Sequence, residues 1–190
     1  MEMQMGATMS ACQTFRYALT RIWDEDAPQC MFIGLNPSTA DHRKDDATIR
    51  RCIGFAKGFG YGGFEMLNIF GFRATDPSGL LTAKDPVGPL NIPAILSAAS
   101  RCALCIVAWG VIPIRDRKIL DFDRRTLATL GLITSSGHHP QVYCLGMTRV
   151  GYPRHPLFVR ADKSLDVYTN PRFEKHQAAI ARRRRRQKVS

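Results

Sequence analysis

Residues 30–38 read CMFIGLNPS, and this stretch decides the fold. Its first six residues are apolar or small, and the sequence then changes to Asn36, Pro37 and Ser38, which favour a turn. Continuous apolarity is typical of a strand that is buried on both faces of a parallel sheet. We therefore predict a buried strand over Cys30–Leu35, followed by a polar turn that forms the lip of the functional site.

Similar patterns recur along the chain. Three further apolar runs are predicted to be strands, namely Phe64–Phe70, Ala103–Trp109 and Val142–Leu145. Helical periodicity separates these runs, over Asp46–Phe59, Asn91–Ala99 and Ile114–Leu130. Strands that alternate with helices indicate an α/β fold, which we predict to be a three-layer α/β/α domain with a mainly parallel four-stranded central sheet. We place this single domain at residues 1–170, and a C-terminal helix with a basic tail at residues 171–190.

The charge of the chain is its most unusual bulk property. Lys and Arg number 27 against 16 Asp and Glu, which gives +11, and six of the basic residues lie between positions 182 and 188. A basic run of this kind is compatible with a solvated tail, a localisation signal or contact with the phosphates of DNA. For the last alternative, the candidate phosphate-binding residues of the tail are Arg182, Arg183, Arg184, Arg185 and Arg186.

The composition also argues against several classes of protein. No apolar run approaches the roughly 20 residues of a membrane span, and the first twelve residues do not resemble a secretory signal, so we expect a cytoplasmic protein without membrane contact. Cys102 and Cys105 have a CxxC spacing, but no second such pair or spaced His pair accompanies them. We predict neither a metal site nor a cofactor.

Candidate site residues follow the predicted strands, because ligands of α/β sheets bind beyond the carboxyl ends of the strands. Asn36 and Asn68 each place an amide at the end of an apolar strand, and His155 lies in a proline-flanked loop after the last strand. Each amide either ties down its own loop or reads the edge of a planar ligand such as a nucleobase. A histidine can donate a proton near neutral pH. Asp45 and Asp46 are suited equally to general base catalysis and to helix capping.

Four longer motifs lie between Cys30 and about Leu165. They are Leu-Asn-Pro-Ser-Thr-Ala-Asp from Leu35, Asp-Asp-Ala-Thr-Ile-Arg-Arg-Cys from Asp45, Phe-Arg-Ala-Thr-Asp-Pro from Phe72, and Pro-Arg-His-Pro-Leu from Pro153. Together they resemble the family known as domain of unknown function 1643. This resemblance implies a fold but no established activity.

Four short motifs follow one another at the ends of the predicted strands. They are Phe32-Ile-Gly-Leu-Asn-Pro-Ser38, Met66-Leu-Asn-Ile-Phe70, Val107-Ala-Trp-Gly110 and His155-Pro156-Leu157. In this order they resemble, more distantly, the first motif, the base-reading strand, the third strand and the His-Pro-Ser loop of the uracil-DNA glycosylase superfamily. The resemblance implies that Asn36 positions a water, that Asn68 binds the base and that His155 stabilises the departing base. It also implies that Pro37 and Ser38 flank the base and that Phe55 stacks on it.

The sequence departs from the glycosylase pattern in ways that bear on the chemistry. The first motif holds no acid, Ser38 replaces the usual glycine, and the Asp-Asp-Ala-Thr-Ile-Arg-Arg stretch has no counterpart there. Outside the tail, the phosphate-binding candidates are Arg50, Arg51, Arg73 and Arg154. An alternative for the first three is that they bind a different ligand, such as a nucleotide or a modified base.

Three functions therefore remain as hypotheses. The first is hydrolysis of the N-glycosidic bond of a flipped-out uracil, mismatched or modified base in DNA, in repair or modification. The second is a non-catalytic module that binds nucleic acid or a nucleotide. The third is an enzyme that acts on a free nucleoside. The sequence leaves the oligomeric state undetermined.

Overall fold

The computed structural model describes residues 2–111, 119–135, 137–139 and 141–169. It contains seven strands, β1 Gln4–Met9, β2 Arg16–Ile22, β3 Gln29–Gly34, β4 Gly63–Asn68, β5 Leu104–Val107, β6 Tyr143–Cys144 and β7 Asp166–Val167. Its three α-helices are α1 Ala47–Gly58, α2 Asn91–Arg101 and α3 Ile119–Ser135. The strands form one sheet in the order β1-β2-β4-β3-β5-β6-β7.

The four apolar runs of the sequence all become strands of this sheet. They are β3, β4, β5 and β6, which lie side by side and pair in parallel. Helices cover both faces, which explains why these strands carry apolar residues without alternation. Helix α1 packs with one apolar cluster, around Phe32 and Phe64, whereas α2 and α3 pack with the other, around Ile33 and Leu67.

The prediction of a mainly parallel four-stranded sheet was wrong in strand number and in direction. The described part of the chain has seven strands, and three of the six pairings are antiparallel, namely β1 with β2, β2 with β4, and β6 with β7. Strand β2 gave no apolar signal because it contains two arginines, Arg16 and Arg21, that are 2% and 0% exposed. The fold is therefore mixed α/β.

The helices agree with the sequence more closely. Helix α1 begins after Asp46, whose side chain caps it as predicted, and α2 ends two residues beyond the predicted end. Helix α3 runs to Ser135 rather than Leu130. The predicted beginning of α3, the predicted helix over residues 171–188 and the arginines at 182–186 lie outside the described residues. Among the helices that are described, none has the length and apolarity that a membrane crossing requires.

The strand order reverses at β3, and this reversal positions the site. The chain leaves β3 through α1 on one face to reach β4, and then leaves β4 through α2 on the other face to reach β5. The two connections thus leave the neighbouring strands β3 and β4 on opposite faces of the sheet, and a crevice opens beyond the carboxyl ends of such strands.

Candidate functional site

A cavity of about 510 Å³ lies beyond the carboxyl ends of β3, β4 and β5. Four of the predicted site residues line it, namely Asn36, Ser38, Asn68 and His155. These residues are distant in sequence. They lie close together because the carboxyl ends of neighbouring parallel strands meet at one edge of the sheet. Arg16, Asp46 and Trp109 line the same cavity.

Asn68 is the last residue of β4, and its amide is sealed from bulk solvent. The residue is 1% exposed, and within the described chain neither its Oδ1 nor its Nδ2 has a hydrogen-bond partner. Its backbone is fixed from the opposite side, because Asn91 Nδ2 donates to the Asn68 carbonyl at 3.0 Å and to the Ile69 carbonyl at 3.2 Å. A buried amide without partners is costly, so this side chain is suited to a ligand that offers both a donor and an acceptor.

Gly34 provides the space that the Asn68 amide occupies. It pairs directly with Asn68 across β3 and β4. A Cβ at this position would lie 2.8 Å from Asn68 Oδ1 and 2.6 Å from Met66 Cε. Both distances are shorter than a van der Waals contact, so a side chain at position 34 would displace the Asn68 amide or Met66. Glycine at this position leaves the space that the amide needs.

Asn36 lies two residues beyond the end of β3 and has a different environment. It is half-buried, and its Nδ2 donates to the Ala74 carbonyl at 2.7 Å and to the Pro37 carbonyl at 3.1 Å. This amide therefore ties the turn to the loop after β4. Its oxygen remains the amide atom that can accept a hydrogen bond from a water or ligand in the cavity.

His155 caps a 3-10 helix, Pro156–Phe158, at the mouth of the cavity. Its Nδ1 accepts a hydrogen bond from the Leu157 amide at 3.4 Å, which assigns the proton of the neutral ring to Nε2. Burial lowers the pKa of His155 below its ordinary value, and the Asp46 carboxylate acts in the opposite direction to raise it. The ring is accordingly neutral at pH 7, and its Nε2–H is the group that can donate to a ligand.

Arg51 holds the loop that carries His155. Its guanidinium donates from Nε to the Pro156 carbonyl at 3.4 Å and from Nη2 to the Val159 carbonyl. The same group lies 4.9 Å above the ring of Phe55. Arg51, predicted to bind phosphate, is thus engaged with protein groups that position the site.

Phe55 and Pro37 lie in the protein interior. Phe55 is 3% exposed, stacks on Phe59 in the core beneath α1 and is not among the residues that line the cavity. This position does not suit stacking on a ligand. Pro37 is buried too, and its carbonyl accepts from the Ala74 amide at 2.9 Å, so it supports the turn from behind.

The other described arginines named from the sequence, Arg50, Arg73 and Arg154, do not line the cavity. Arg50 is exposed and donates to the Asp45 carbonyl at 2.8 Å, and Arg154 is exposed and donates to the Met147 carbonyl at 3.3 Å. Arg73 is half-buried in a separate depression that shares Ser38 with the cavity. Its Nη1 donates to the Gln13 carbonyl at 3.2 Å.

Arg16 is a cavity residue that sequence reasoning missed. Its Nη1 donates to the Ala40 carbonyl at 2.6 Å, while its buried Nε has no partner within the described ranges. Burial lowers the pKa of Arg16 to about 10, so the group is still a cation at pH 7. No pattern in the sequence marked it, because it belongs to the strand that was not recognised.

Trp109 contributes a second buried donor to the lining of the cavity. It follows β5, is 2% exposed and packs edge-on against Phe122 and Tyr168. Its indole Nε1 has no partner in the part of the chain that the structure describes. The Trp-Gly pair at the end of the apolar run was the sequence signal for this position.

The cysteines do not form a site with ligating geometry. Cys102 and Cys105 are 6% and 0% exposed, and burial raises the pKa of the Cys102 thiol to about 12. Over the residues that are described, no group of three or more His, Cys, Asp or Glu side chains is arranged to hold a metal ion.

The sequence was compared with protein families, curated proteins and solved structures. Residues 16–157 match a family described as "Protein of unknown function (DUF1643)". No curated protein and no solved structure matches the chain. The matched range begins at Arg16 and ends just after His155, so it spans all the residues that line the cavity except Phe158.

Proposed function

The chain belongs to the DUF1643 family, and we propose that this member hydrolyses the N-glycosidic bond of a base in DNA. The target is a uracil, a mismatched base or a modified base that has left the stack, because a base inside a duplex is out of reach. Asn68 binds the edge of the base, Asn36 positions the attacking water and His155 stabilises the departing base. The motif order that resembles uracil-DNA glycosylases supports the same roles.

One observation carries this proposal, namely that Asn36, Asn68 and His155 line a single cavity. The amide of Asn68 offers a buried donor and acceptor, which complements the alternating donors and acceptors of a nucleobase edge. Trp109 adds a further buried donor at the end of the neighbouring strand β5. The cavity volume of about 510 Å³ accommodates a base with its sugar.

The electrostatics of the cavity are compatible with the departure of a base anion. His155 is neutral and presents Nε2–H, and a fixed donor of this kind stabilises negative charge that develops on a leaving base. The Arg16 guanidinium adds a buried positive charge on the same cavity. The net charge of +11 supports association with DNA phosphates.

The proposal is tested by incubating the full chain with duplex and single-stranded DNA that carries uracil, mismatches or modified bases. We expect abasic sites, which alkaline cleavage of end-labelled DNA detects. Asn68→Ala should lower base release at least about 100-fold, because oriented donors in a dry site contribute this much. Ser97→Ala, an exchange on α2 outside the lining of the cavity, serves as the control and should leave the rate unchanged.

Absence of base release from the whole panel would overturn the proposal. A rate that is the same for wild type and Asn68→Ala would instead remove Asn68 from the reaction. Truncation after Ala181 tests the basic tail separately. If the tail contacts phosphates, its removal reduces the slope of affinity against salt.

A second candidate is a nucleotide-binding module without catalysis, and Arg16 is the observation that favours it. A buried guanidinium whose Nε lacks a protein partner within the described residues suits an anionic group of a small ligand. Calorimetry with nucleoside monophosphates distinguishes the two functions. The module predicts binding that survives Asn36→Ala and weakens with Arg16→Gln, with no base released in either case.

A further inference from the structure

Asp46 is the one carboxylate among the described residues that line the cavity. It belongs to the Asp-Asp-Ala-Thr-Ile-Arg-Arg stretch, which has no counterpart in the glycosylase motifs. The turn after β3, residues 35–38, contains no acidic residue. The side-chain nitrogen of Asn36 in this turn already donates to the Ala74 and Pro37 carbonyls. The cavity therefore draws its negatively charged group from the beginning of α1.

The other charged residues of this stretch have partners elsewhere in the protein. Asp45 forms an ion pair of 2.8 Å with Arg21, which is fully buried. Arg50 donates to the Asp45 carbonyl, and Arg51 holds the backbone of the His155 loop. Three of the four charged side chains thus have protein partners outside the cavity lining, and Asp46 alone lines the cavity.

Helix capping occupies only one oxygen of Asp46. Its Oδ1 accepts from the Ile49 amide at 2.8 Å, whereas Oδ2 has no hydrogen bond to the described residues. The cap fixes the orientation of the carboxylate, so Oδ2 needs no reorganisation to accept a proton. Arg16 and His155 line the cavity with it and interact electrostatically with its charge.

Resting on the proposed function, we propose that Asp46 is the general base that activates the attacking water. A water held by Asn36 gives one proton to Asp46 Oδ2 while its oxygen forms a bond to C1′ of the sugar. The C1′–N bond breaks, its electron pair passes to the base, and the base leaves as an anion that accepts a hydrogen bond from His155 Nε2–H. Asp46 then releases its proton to solvent and the base anion takes one up, while His155 keeps its Nε2 proton, so the products are the free base and an abasic sugar.

The exchange Asp46→Asn separates this role from helix capping. Asparagine caps helices as well as aspartate does, so Asp46→Asn retains the cap while it removes the proton acceptor. Asp45→Asn is the matched control, because it makes the same change one residue away and outside the lining of the cavity. It breaks the ion pair with Arg21, so it should lower the melting temperature rather than the rate of the folded enzyme.

Single-turnover base release is measured with the DNA that wild type cleaves best, over a range of enzyme concentrations. For Asp46→Asn we expect the maximal rate to fall about 100-fold or more, since general base catalysis contributes 10²–10⁴-fold. The half-saturating concentration and the melting temperature should stay close to those of wild type. Asp46→Ala should lose the rate to the same extent and also melt at a lower temperature.

The outcomes distinguish this inference from the proposed function. Wild type that releases no base overturns both. If wild type releases base and Asp46→Asn releases it equally fast, only the role of Asp46 as general base is overturned. A loss of rate that follows the melting temperature across the variants, with Asp45→Asn as slow as Asp46→Asn, also overturns it, because Asp46 would then act only through the fold.

Discussion

The turn after β3 and the end of β4 each present an asparagine to the same cavity, in opposite states. Asn36 donates two hydrogen bonds to loop carbonyls, whereas the two amide atoms of Asn68 have none within the described chain. The first amide is part of the architecture of its turn. The second is buried at a cost in free energy that no hydrogen bond from the described residues offsets. Hydrogen-bond partners, rather than residue type, distinguish the amide that holds a loop from the amide that suits a ligand.

The difference also changes the role that Asn36 can have. With Nδ2 fixed by Ala74 and Pro37, its oxygen is held in one orientation and can accept from a water without rearrangement. Asn36 therefore serves stability and water positioning together. A variant at Asn36 affects both, so its activity must be interpreted beside its melting temperature.

The largest effect on stability is expected for Asn36→Ala. It removes the donor of two hydrogen bonds, so we expect the free energy of unfolding to fall by about 2 kcal/mol, about 1 for each bond. Ser38→Ala is the control in the same turn, because no side-chain hydrogen bond of Ser38 is found among the described residues. Chemical denaturation measures both variants. Equal stabilities would show that the turn does not depend on the amide of Asn36.

The fold could be predicted where burial leaves a pattern. Strand β3, the first of the strands that pair in parallel, was predicted from its apolar run, and it spans Gln29–Gly34. Strand β2 could not be predicted in this way, because Arg16 and Arg21 are buried by interactions with residues far along the chain. Arg21 depends on Asp45 and on the Asp41 carbonyl, which no local window contains. Where long-range polar contacts stabilise a strand, local hydrophobicity does not reveal it.

The site shows the same limit. Asn36, Asn68 and His155 were found because the ends of parallel strands meet at one edge. Asp46 was recognised as a cap or a base, but only the packing of α1 places it in the cavity. Phe55 was assigned to the base, although it lies three residues after Cys52 and thus on the buried face of the helix. Helical periodicity alone argued for a core position there.

A smaller effect, of opposite sign, is expected for Asn68→Leu. Leucine has a similar shape, with the same number of side-chain heavy atoms, and removes an amide that lacks partners in the described chain, so the free energy of unfolding should rise by about 1 kcal/mol. Asn91→Leu is the control, because the Asn91 amide is buried and donates to two carbonyls. Asn91→Leu should destabilise the protein. If both exchanges destabilise it equally in denaturation experiments, the buried amide of Asn68 does not carry the uncompensated cost described above.

The smallest effect is expected for Gly34→Ala, which sharpens the contrast because its methyl group would contact Asn68 directly. The new Cβ would meet Asn68 Oδ1 and Met66 Cε, the far ends of two side chains. Because both ends can shift, the free energy of unfolding should fall by less than about 1 kcal/mol. The displaced amide should nevertheless weaken base release. Gly54→Ala on the exposed side of α1 meets no atom within 4 Å and should instead stabilise the helix by up to about 1 kcal/mol. Base release that is unchanged in Gly34→Ala would contradict the dependence of the reaction on the position of the Asn68 amide.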